Sequence, residues 1–159
     1  MKKLTKSQMR VAIAKDALAQ LRAEKYVATK NVYIDDTLLN DLYAKSKEEG
    51  DISAQPFLNT LKSCKVCAKG AIYLSTVRKF NDVTLCNFHD KSSEKAESIF
   101  GENNLLRIES AFERWKNEDK KGRETNSKLN KFIDKYPDKN VRLEKILLNV
   151  IRNKGVFKP

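Results

Sequence analysis

Apolar side chains recur at steps of three and four residues along most of the chain, which is the spacing of amphipathic helices. In the first such segment, residues 5–25, Met9, Ile13 and Leu21 fall on one face and basic side chains on the other. Thr5 or Ser7 is the expected N-cap of this helix. The pattern predicts helices over residues 5–25, 36–50, 56–79, 92–99 and 103–117, over a short stretch ending at Pro137, and over 141–153.

The segment 56–79 has the widest apolar band and is predicted to be a central helix. Pro56 suits the first turn of a helix. The apolar spacing passes through Cys64 and Cys67 without interruption, so both thiols are predicted to lie inside this helix. Gly70 is expected to cost about 1 kcal/mol relative to alanine. Together with the neighbouring alanines it forms a flat patch that another helix, or a second subunit, could approach closely.

Two stretches depart from the helical pattern. Residues 26–34, YVATKNVYI, are rich in Val, Tyr and Ile and predict a short extended or β segment. Residues 117–128 are charged and nearly without apolar side chains, so we expect a loop or a helix extension into water. The chain is therefore predicted to form a mainly α fold, a single compact domain over residues 1–159 with five to seven helices, in which the last helix, 141–153, is also central.

The sequence carries no sign of a membrane or secreted protein. No run of eighteen apolar residues is present, and the start MKKLTKSQMR lacks the apolar block of a signal peptide. Three cysteines, an odd number, argue against a disulfide framework. We therefore expect a cytoplasmic protein whose cysteines are reduced or bind a metal, and no membrane partner.

Charge is distributed in blocks. The net charge is +11, with 8 basic and 2 acidic residues in 1–30 and 12 basic and 4 acidic residues in 120–159. Residues 31–61 and 96–119 are acidic, with 2 basic against 6 acidic and 3 basic against 6 acidic residues. Basic ends of this kind favour anionic partners, such as nucleic acid, nucleotides or an acidic protein surface.

All three cysteines and the only histidine follow the spacing C-x2-C-x18-C-x2-H, through Cys64, Cys67, Cys86 and His89. Two ligand pairs separated by a loop of this size are typical of structural zinc sites, because one turn of chain offers both ligands of a pair to the same ion. Bound zinc would supply about 10 kcal/mol of folding free energy. We expect a protein without a cofactor and keep a protein with one structural zinc ion as the alternative.

Other observations favour a helix core at the first pair. The helical spacing is not interrupted there, and free cysteine is often buried as a small apolar side chain. The stretches PFLNTLKSCKVCAKGA and RLEKILLNVIRNKGVFKP resemble a loose set of small, mostly helical bacterial and phage-associated proteins of unassigned function. The resemblance implies a helix core at the Cys-x-x-Cys segment, implies that Cys86 and His89 are incidental, and carries no activity. A thioredoxin-like role would need a preceding strand and an exposed helix start.

No catalytic motif is recognisable. The chain lacks the phosphate-binding, dinucleotide-binding, nucleophile-elbow and zinc-protease signatures, and a single histidine limits acid–base chemistry. Acidic pairs such as Asp35–Asp36 and Glu48–Glu49 lie in solvated segments. We therefore predict that the protein is not an enzyme, and keep an unrecognised enzyme only as a third hypothesis.

Two binding functions remain. The leading hypothesis is a stoichiometric inhibitor or adaptor, phage or mobile-element encoded, that covers a host protein or a protein–nucleic acid complex, including a defence system. The alternative is direct binding of nucleic acid or nucleotides, although the run KKGRETNSKLNK has few aromatic residues for stacking on single strands. Both predict a basic binding surface, for which the alternative is a solvated face without a specific contact. The predicted surface comprises Lys2, Lys3, Lys6, Arg10, Lys120, Lys121, Arg123, Lys128 and Lys131.

Overall fold

The computed structural model of the chain describes residues 3–113 and 123–159. Over these ranges the fold is mainly α with one short parallel sheet, as the apolar pattern predicts. The elements are α1 Lys6–Arg22, β1 Tyr26–Ala28, α2 Asp36–Glu49, α3 Gln55–Asn59, β2 Cys64–Val66, α4 Ala68–Phe80, α5 Phe88–Phe100, α6 Glu102–Glu113, α7 Arg123–Lys135 and α8 Lys139–Arg152. The eight helices of the described ranges exceed the five to seven expected, because one predicted helix is divided.

Helix α1 begins where its sequence predicts. Thr5 is the N-cap: its hydroxyl accepts from Gln8 N (3.3 Å), and Gln8 Oε1 accepts from Thr5 N (2.9 Å). This reciprocal capping box satisfies two backbone donors that the first turn leaves unpaired. The apolar face of α1, with Ile13 and Ala17 fully buried, packs against α4 and α8. The first helix therefore joins the middle of the chain to its end.

The extended segment predicted near residues 26–34 contains β1. This strand pairs in parallel with β2, in the register Tyr26↔Cys64, Val27↔Lys65 and Ala28↔Val66. Backbone hydrogen bonds at both ends, from Cys64 N to Lys25 O and from Thr29 N to Val66 O (both 2.9 Å), complete the ladder. Helices α2 and α3 form the connection between the two strands.

The prediction of one continuous helix over 56–79 is wrong. The chain forms α3 from Gln55, leaves the helix after Asn59, and enters β2 at Cys64 before α4 begins at Ala68. In β2 the buried positions alternate with exposed Lys65. A short helix precedes this strand and α4 follows it. The apolar residues of the three elements together therefore recur at steps of three and four, as in a single helix. The backbone hydrogen bonds to β1 decide between the two structures.

Helix α4 is the most buried element, and nine of its thirteen residues are buried. It packs against α1, α5 and α6. Cys67 is its N-cap, and Asn81 ends it in the left-handed conformation (φ 43°). The prediction of a central helix is thus correct for residues 68–80, although not for the residues before them.

Gly70 has a different role from the one its sequence context suggests. A Cβ atom at this position would lie 1.8 Å from the carbonyl oxygen of Tyr33 and 2.9 Å from its carbonyl carbon. The same oxygen accepts from Cys67 N (3.4 Å). The flat patch at Gly70 therefore receives the backbone that leads into α2, and neither a helix nor a second subunit occupies it.

The remaining helices differ from prediction mainly at their ends. Helix α2, predicted over 36–50, is capped by Asp35, just before the two residues that the sequence suggests as caps, Asp36 and Thr37, and it ends at Gly50 (φ 81°). Helix α5 begins four residues earlier than expected, at Phe88. After α8, Gly155 adopts a left-handed conformation (φ 93°), and Phe157 returns to the core, where it is fully buried. Residues 123–128 of the predicted charged segment are helical, whereas 117–122 lie outside the described residues.

We predict that Gly70→Ala lowers the free energy of unfolding by about 1–3 kcal/mol, because the added methyl group displaces the Tyr33 backbone. Helix propensity alone predicts the opposite sign, a gain of about 1 kcal/mol. Urea denaturation followed by circular dichroism measures the difference. An unchanged or increased stability of the variant would contradict the close approach of the Tyr33 carbonyl.

Candidate functional site

The first cysteine pair lies at the junction of β2 and α4. Cys64 is the first residue of the strand, Cys67 caps the helix, and each side chain is 3% exposed. The Cys67 sulfur accepts from Gly70 N (3.5 Å). Burial raises the pKa of the Cys64 thiol to about 12 and that of the Cys67 thiol to about 11. A strand does precede the thiols, but the helix start is buried and both thiols stay protonated, which disfavours nucleophilic chemistry.

The second half of the predicted zinc set lies in a different environment. Cys86 is exposed, and the His89 side chain is 70% exposed with its Nδ1 3.2 Å from Asp90 Oδ1. Within residues 3–113 and 123–159, no group of three or more His, Cys, Asp or Glu side chains is arranged to hold a metal ion. In the described structure Cys64 and Cys67 are therefore a buried pair, whereas Cys86 and His89 are exposed.

The predicted basic surface is dispersed. Lys2, Lys120 and Lys121 lie outside the described residues, and Arg123 is the first residue of α7. Lys3 and Lys6 are exposed at the start of the chain. Arg10 is a packing residue: its Nε donates to Ile99 O (2.6 Å), and its side chain lies directly against Gly155. Lys128 and Lys131, in contrast, come together with other cations in one groove.

This groove lies between α7 and α8 and has a volume of about 490 Å³. We call it the α7–α8 groove. Five of its ten lining residues are basic and none is acidic. The lining residues are Lys128, Lys131, Phe132, Lys135, Tyr136, Lys145, Leu148, Asn149, Arg152 and Pro159. The concentration of like charge on a concave surface produces a positive potential that attracts anions.

Each helix contributes a stripe at the same spacing. On α7 the stripe is Lys128, Lys131, Phe132 and Lys135, and on α8 it is Lys145, Leu148, Asn149 and Arg152. Positions i, i+3, i+4 and i+7 share one helix face. Adjacent positions on each helix face the core instead, where they are buried: Leu129, Ile133, Leu143, Ile146, Leu147 and Val150.

A buried arginine fixes the two helices relative to each other. Arg142, 3% exposed, donates from Nε to Tyr136 O (2.8 Å), from Nη1 to Phe112 O (2.8 Å) and from Nη2 to Pro137 O (3.1 Å). Phe112 lies in α6, and Tyr136 and Pro137 lie in the connection between α7 and α8. The arginine lies in the first turn of α8, so its hydrogen bonds join three helices at one end of the groove.

Aromatic side chains line the groove beside the cations. Phe132 packs edge-on against buried Phe157 (ring centroids 5.5 Å apart) and against Tyr136 (5.0 Å). The ammonium groups of Lys135 and Lys145 lie 5.5 and 5.9 Å from the Tyr136 ring centroid. Phe132, Tyr136 and Leu148 are each partly exposed. The groove therefore offers apolar ring surface between positive charges.

The end of the described chain is tied to α8 at the same groove. Asn149 donates from Nδ2 to Lys158 O (2.5 Å) and accepts at Oδ1 from Lys158 N (2.8 Å). The Asn149 amide is thus engaged in holding residues 157–159 against the helix. The basic and aromatic side chains are left as the groups that can contact a ligand.

Sequence reasoning located two of the five groove cations. It missed Lys135, Lys145 and Arg152, because it searched for runs of charge along the chain rather than for matching stripes on two helices. The i, i+3, i+4, i+7 spacing in both 128–135 and 145–152 was the available signal. The charged run 120–131 contains no aromatic residue, whereas Phe132 follows it directly.

Comparisons with protein-family models, curated proteins and solved structures give no match to this chain. No helix within the described ranges has the length and apolar character needed to cross a membrane.

We predict that native protein at pH 8 reacts with a thiol reagent such as dithionitrobenzoate at Cys86 alone, whereas all three cysteines react in denaturant. Burial and raised pKa values protect Cys64 and Cys67. Because the folded state keeps these two thiols protonated while unfolded thiols ionise near pH 9, the free energy of unfolding should fall as pH rises above 9.

The Cys86→Ser variant is the control, and it should abolish the rapid reaction in the native state. Rapid labelling of two or three thiols in native protein would contradict the buried position of the pair.

Proposed function

We propose that the protein binds nucleic acid, without catalysing a reaction on it, through the α7–α8 groove. The observation that carries this proposal is the convergence of five cations from two helices on one concave surface whose ten lining residues include no acid. Lysine and arginine neutralise phosphates and release condensed counterions, which is the main sequence-independent source of affinity for nucleic acid. A cytoplasmic location belongs to the same proposal.

Binding without turnover is supported by the composition of the groove. None of its ten lining side chains is a carboxylate, an imidazole or a thiol. Metal-assisted cleavage of nucleic acid depends on such groups to hold the metal ion. Lysine, arginine and aromatic side chains instead provide phosphate contacts and ring surface, which are the components of a binding site.

The number of cations sets the expected salt dependence. The logarithm of the binding constant falls with the logarithm of salt concentration by about 0.7 to 0.9 per phosphate neutralised. Five contacts therefore predict a slope of about −3.5 to −4.5, a loss of affinity of at least about a hundredfold between 50 and 200 mM salt. A smaller slope would indicate that only some of the five side chains contact phosphate.

An inhibitor or adaptor of a host protein remains a hypothesis with less support. An acidic protein surface would also suit the basic groove. Yet the large apolar side chains that are strongly exposed among the described residues, which would anchor a protein partner, do not line the groove. They are Leu4, Tyr43, Ile52, Leu106 and Val141. Measuring the binding of an oligonucleotide in the absence of any other protein distinguishes the two hypotheses, because only direct nucleic-acid binding predicts affinity for nucleic acid alone.

We predict that the triple variant Lys131→Gln, Lys145→Gln, Arg152→Gln loses at least about tenfold in affinity for an oligonucleotide at 100 mM salt and that its salt slope decreases by about 2 to 3. Fluorescence anisotropy with a labelled oligonucleotide measures both quantities. Since Pro159 lines the groove, any affinity tag is placed at the N terminus.

The matched control is Lys62→Gln, Lys65→Gln, Lys79→Gln. These three lysines are exposed and lie outside the groove. Both triple variants remove three positive charges and lower the net charge from +11 to +8. The control should bind within about threefold of wild type. Equal losses in the two variants would show that binding follows net charge rather than the groove, and would overturn the proposal.

A further inference from the structure

We propose that the ligand of the α7–α8 groove is single-stranded nucleic acid, bound with an unpaired base stacked on Tyr136 and the flanking phosphates on the surrounding lysines. This inference rests on the proposed function and adds the class of nucleic acid and the residue that selects it. Single-stranded RNA and single-stranded DNA both offer unpaired bases and phosphates, so the experiment measures binding of each.

The argument begins with the ring surface inside a charged groove. Tyr136 and Phe132 are only partly buried, although they contact each other and Phe157. A site that recognised phosphates alone would need no aromatic lining. Stacking of a base on an aromatic ring covers such surface, and it is open to any base because every base has a π face.

The lysines around Tyr136 fit the same arrangement. Lys135 and Lys145, from different helices, place their ammonium groups 5.5 and 5.9 Å from the ring centroid. At these distances the attraction of a cation to an exposed ring is weak. An entering base can therefore take their place at the ring, while the long side chains turn to the phosphates on either side of that base.

Duplex nucleic acid does not satisfy this site. In a duplex both faces of each base are covered by neighbouring base pairs, and only base edges are presented in the grooves. A base would reach Tyr136 only after leaving the stack, which costs free energy that a single strand does not spend. The groove volume of about 490 Å³ lies in the range of sites that hold one small ligand, and suits a splayed nucleotide.

A second depression favours a strand over a free nucleotide. It has a volume of about 410 Å³ and is lined by residues of α1 and by Lys154, with Lys15 as its other cation. Lys154 lies two residues after Arg152, which lines the α7–α8 groove, and its carbonyl accepts from Ser7 Oγ (2.7 Å), so α1 meets the residues after α8 at the second depression. A strand of several nucleotides can follow this basic path, whereas a mononucleotide contacts one depression.

The experiment uses the full chain and fluorescence anisotropy at 100 mM salt. The probes are a labelled strand of about 12 nucleotides as RNA, the same strand as DNA, and the DNA duplex. We expect the single strands to bind at least about tenfold more tightly than the duplex. Tyr136→Leu should weaken single-strand binding by about tenfold and leave duplex binding and the salt slope unchanged. Tyr136→Phe, which keeps the ring, should bind within about threefold of wild type.

A second probe makes the test independent of the folding of any variant. A DNA strand of the same length with abasic sites keeps its phosphates and lacks bases, and wild-type protein should bind it about tenfold more weakly than the intact strand. RNA bound much more tightly than DNA would identify RNA as the ligand, and the reverse would identify DNA.

The outcomes separate this inference from the proposed function. If the duplex and the abasic strand bind as tightly as the intact single strand, and binding still depends on the groove cations, the single-strand inference is overturned and the proposed function stands. If no probe binds, both are overturned.

Discussion

The guanidinium group of Arg142 is the interaction on which the geometry of the α7–α8 groove depends. It is buried and donates to carbonyl oxygens of Phe112, Tyr136 and Pro137. Burying an unpaired charge costs several kcal/mol. Hydrogen bonds from a charged donor each return about 1.5–3 kcal/mol. The buried arginine is therefore stable where Phe112 of α6, the connection between α7 and α8, and the start of α8 converge, and its hydrogen bonds hold these segments together.

The hydrogen bonds of Arg142 also determine where the other charged side chains of the C-terminal region lie. One cation, Arg142, is buried to join three helices, while Glu144 on the same helix pairs with Arg22 of α1 (2.7 Å). The apolar faces of α7 and α8 pack inward. What remains toward the groove is a set of cations and partly exposed rings, so the packing of the core determines which side chains meet a ligand.

The cysteines show that a spacing in the sequence can suggest a site that the fold does not assemble. The spacing of Cys64, Cys67, Cys86 and His89 suits a zinc ion, but the described fold uses the first pair as buried small side chains at a strand–helix junction and leaves the second pair exposed. Spacing along the chain defines a metal site only when tertiary structure brings the ligands to one point.

The features that the sequence predicts are those set by local spacing, whereas the features set by tertiary packing are not predictable from it. Helices α1 and α8 follow from the periodicity of their apolar residues, and the N-cap of α1, Thr5, is one of the two candidates that the sequence offers. Periodicity could not separate the strand at Cys64–Val66 from the flanking helices, because Cys64 also fits the helical spacing that continues to Cys67 and the strand is only three residues long. Pairing with β1 distinguishes the two structures. Lys128 and Lys131 were predicted as binding residues from local charge density. The presence of Lys145, Arg152 and Tyr136 in the groove depends on how α7 and α8 are held beside each other by their packing on α6 and by Arg142, which the sequence does not distinguish from the other basic residues.

The most direct test of the central claim, that the α7–α8 groove is the nucleic-acid surface, is ultraviolet cross-linking of wild-type protein to a uridine-rich strand, with the modified peptides identified by mass spectrometry. We predict cross-links on peptides from residues 128–136 and 145–152, with Tyr136 and Phe132 as the main sites because excited bases react readily with stacked rings. Cross-links confined to other parts of the chain, or protein that does not cross-link at all, would contradict the account.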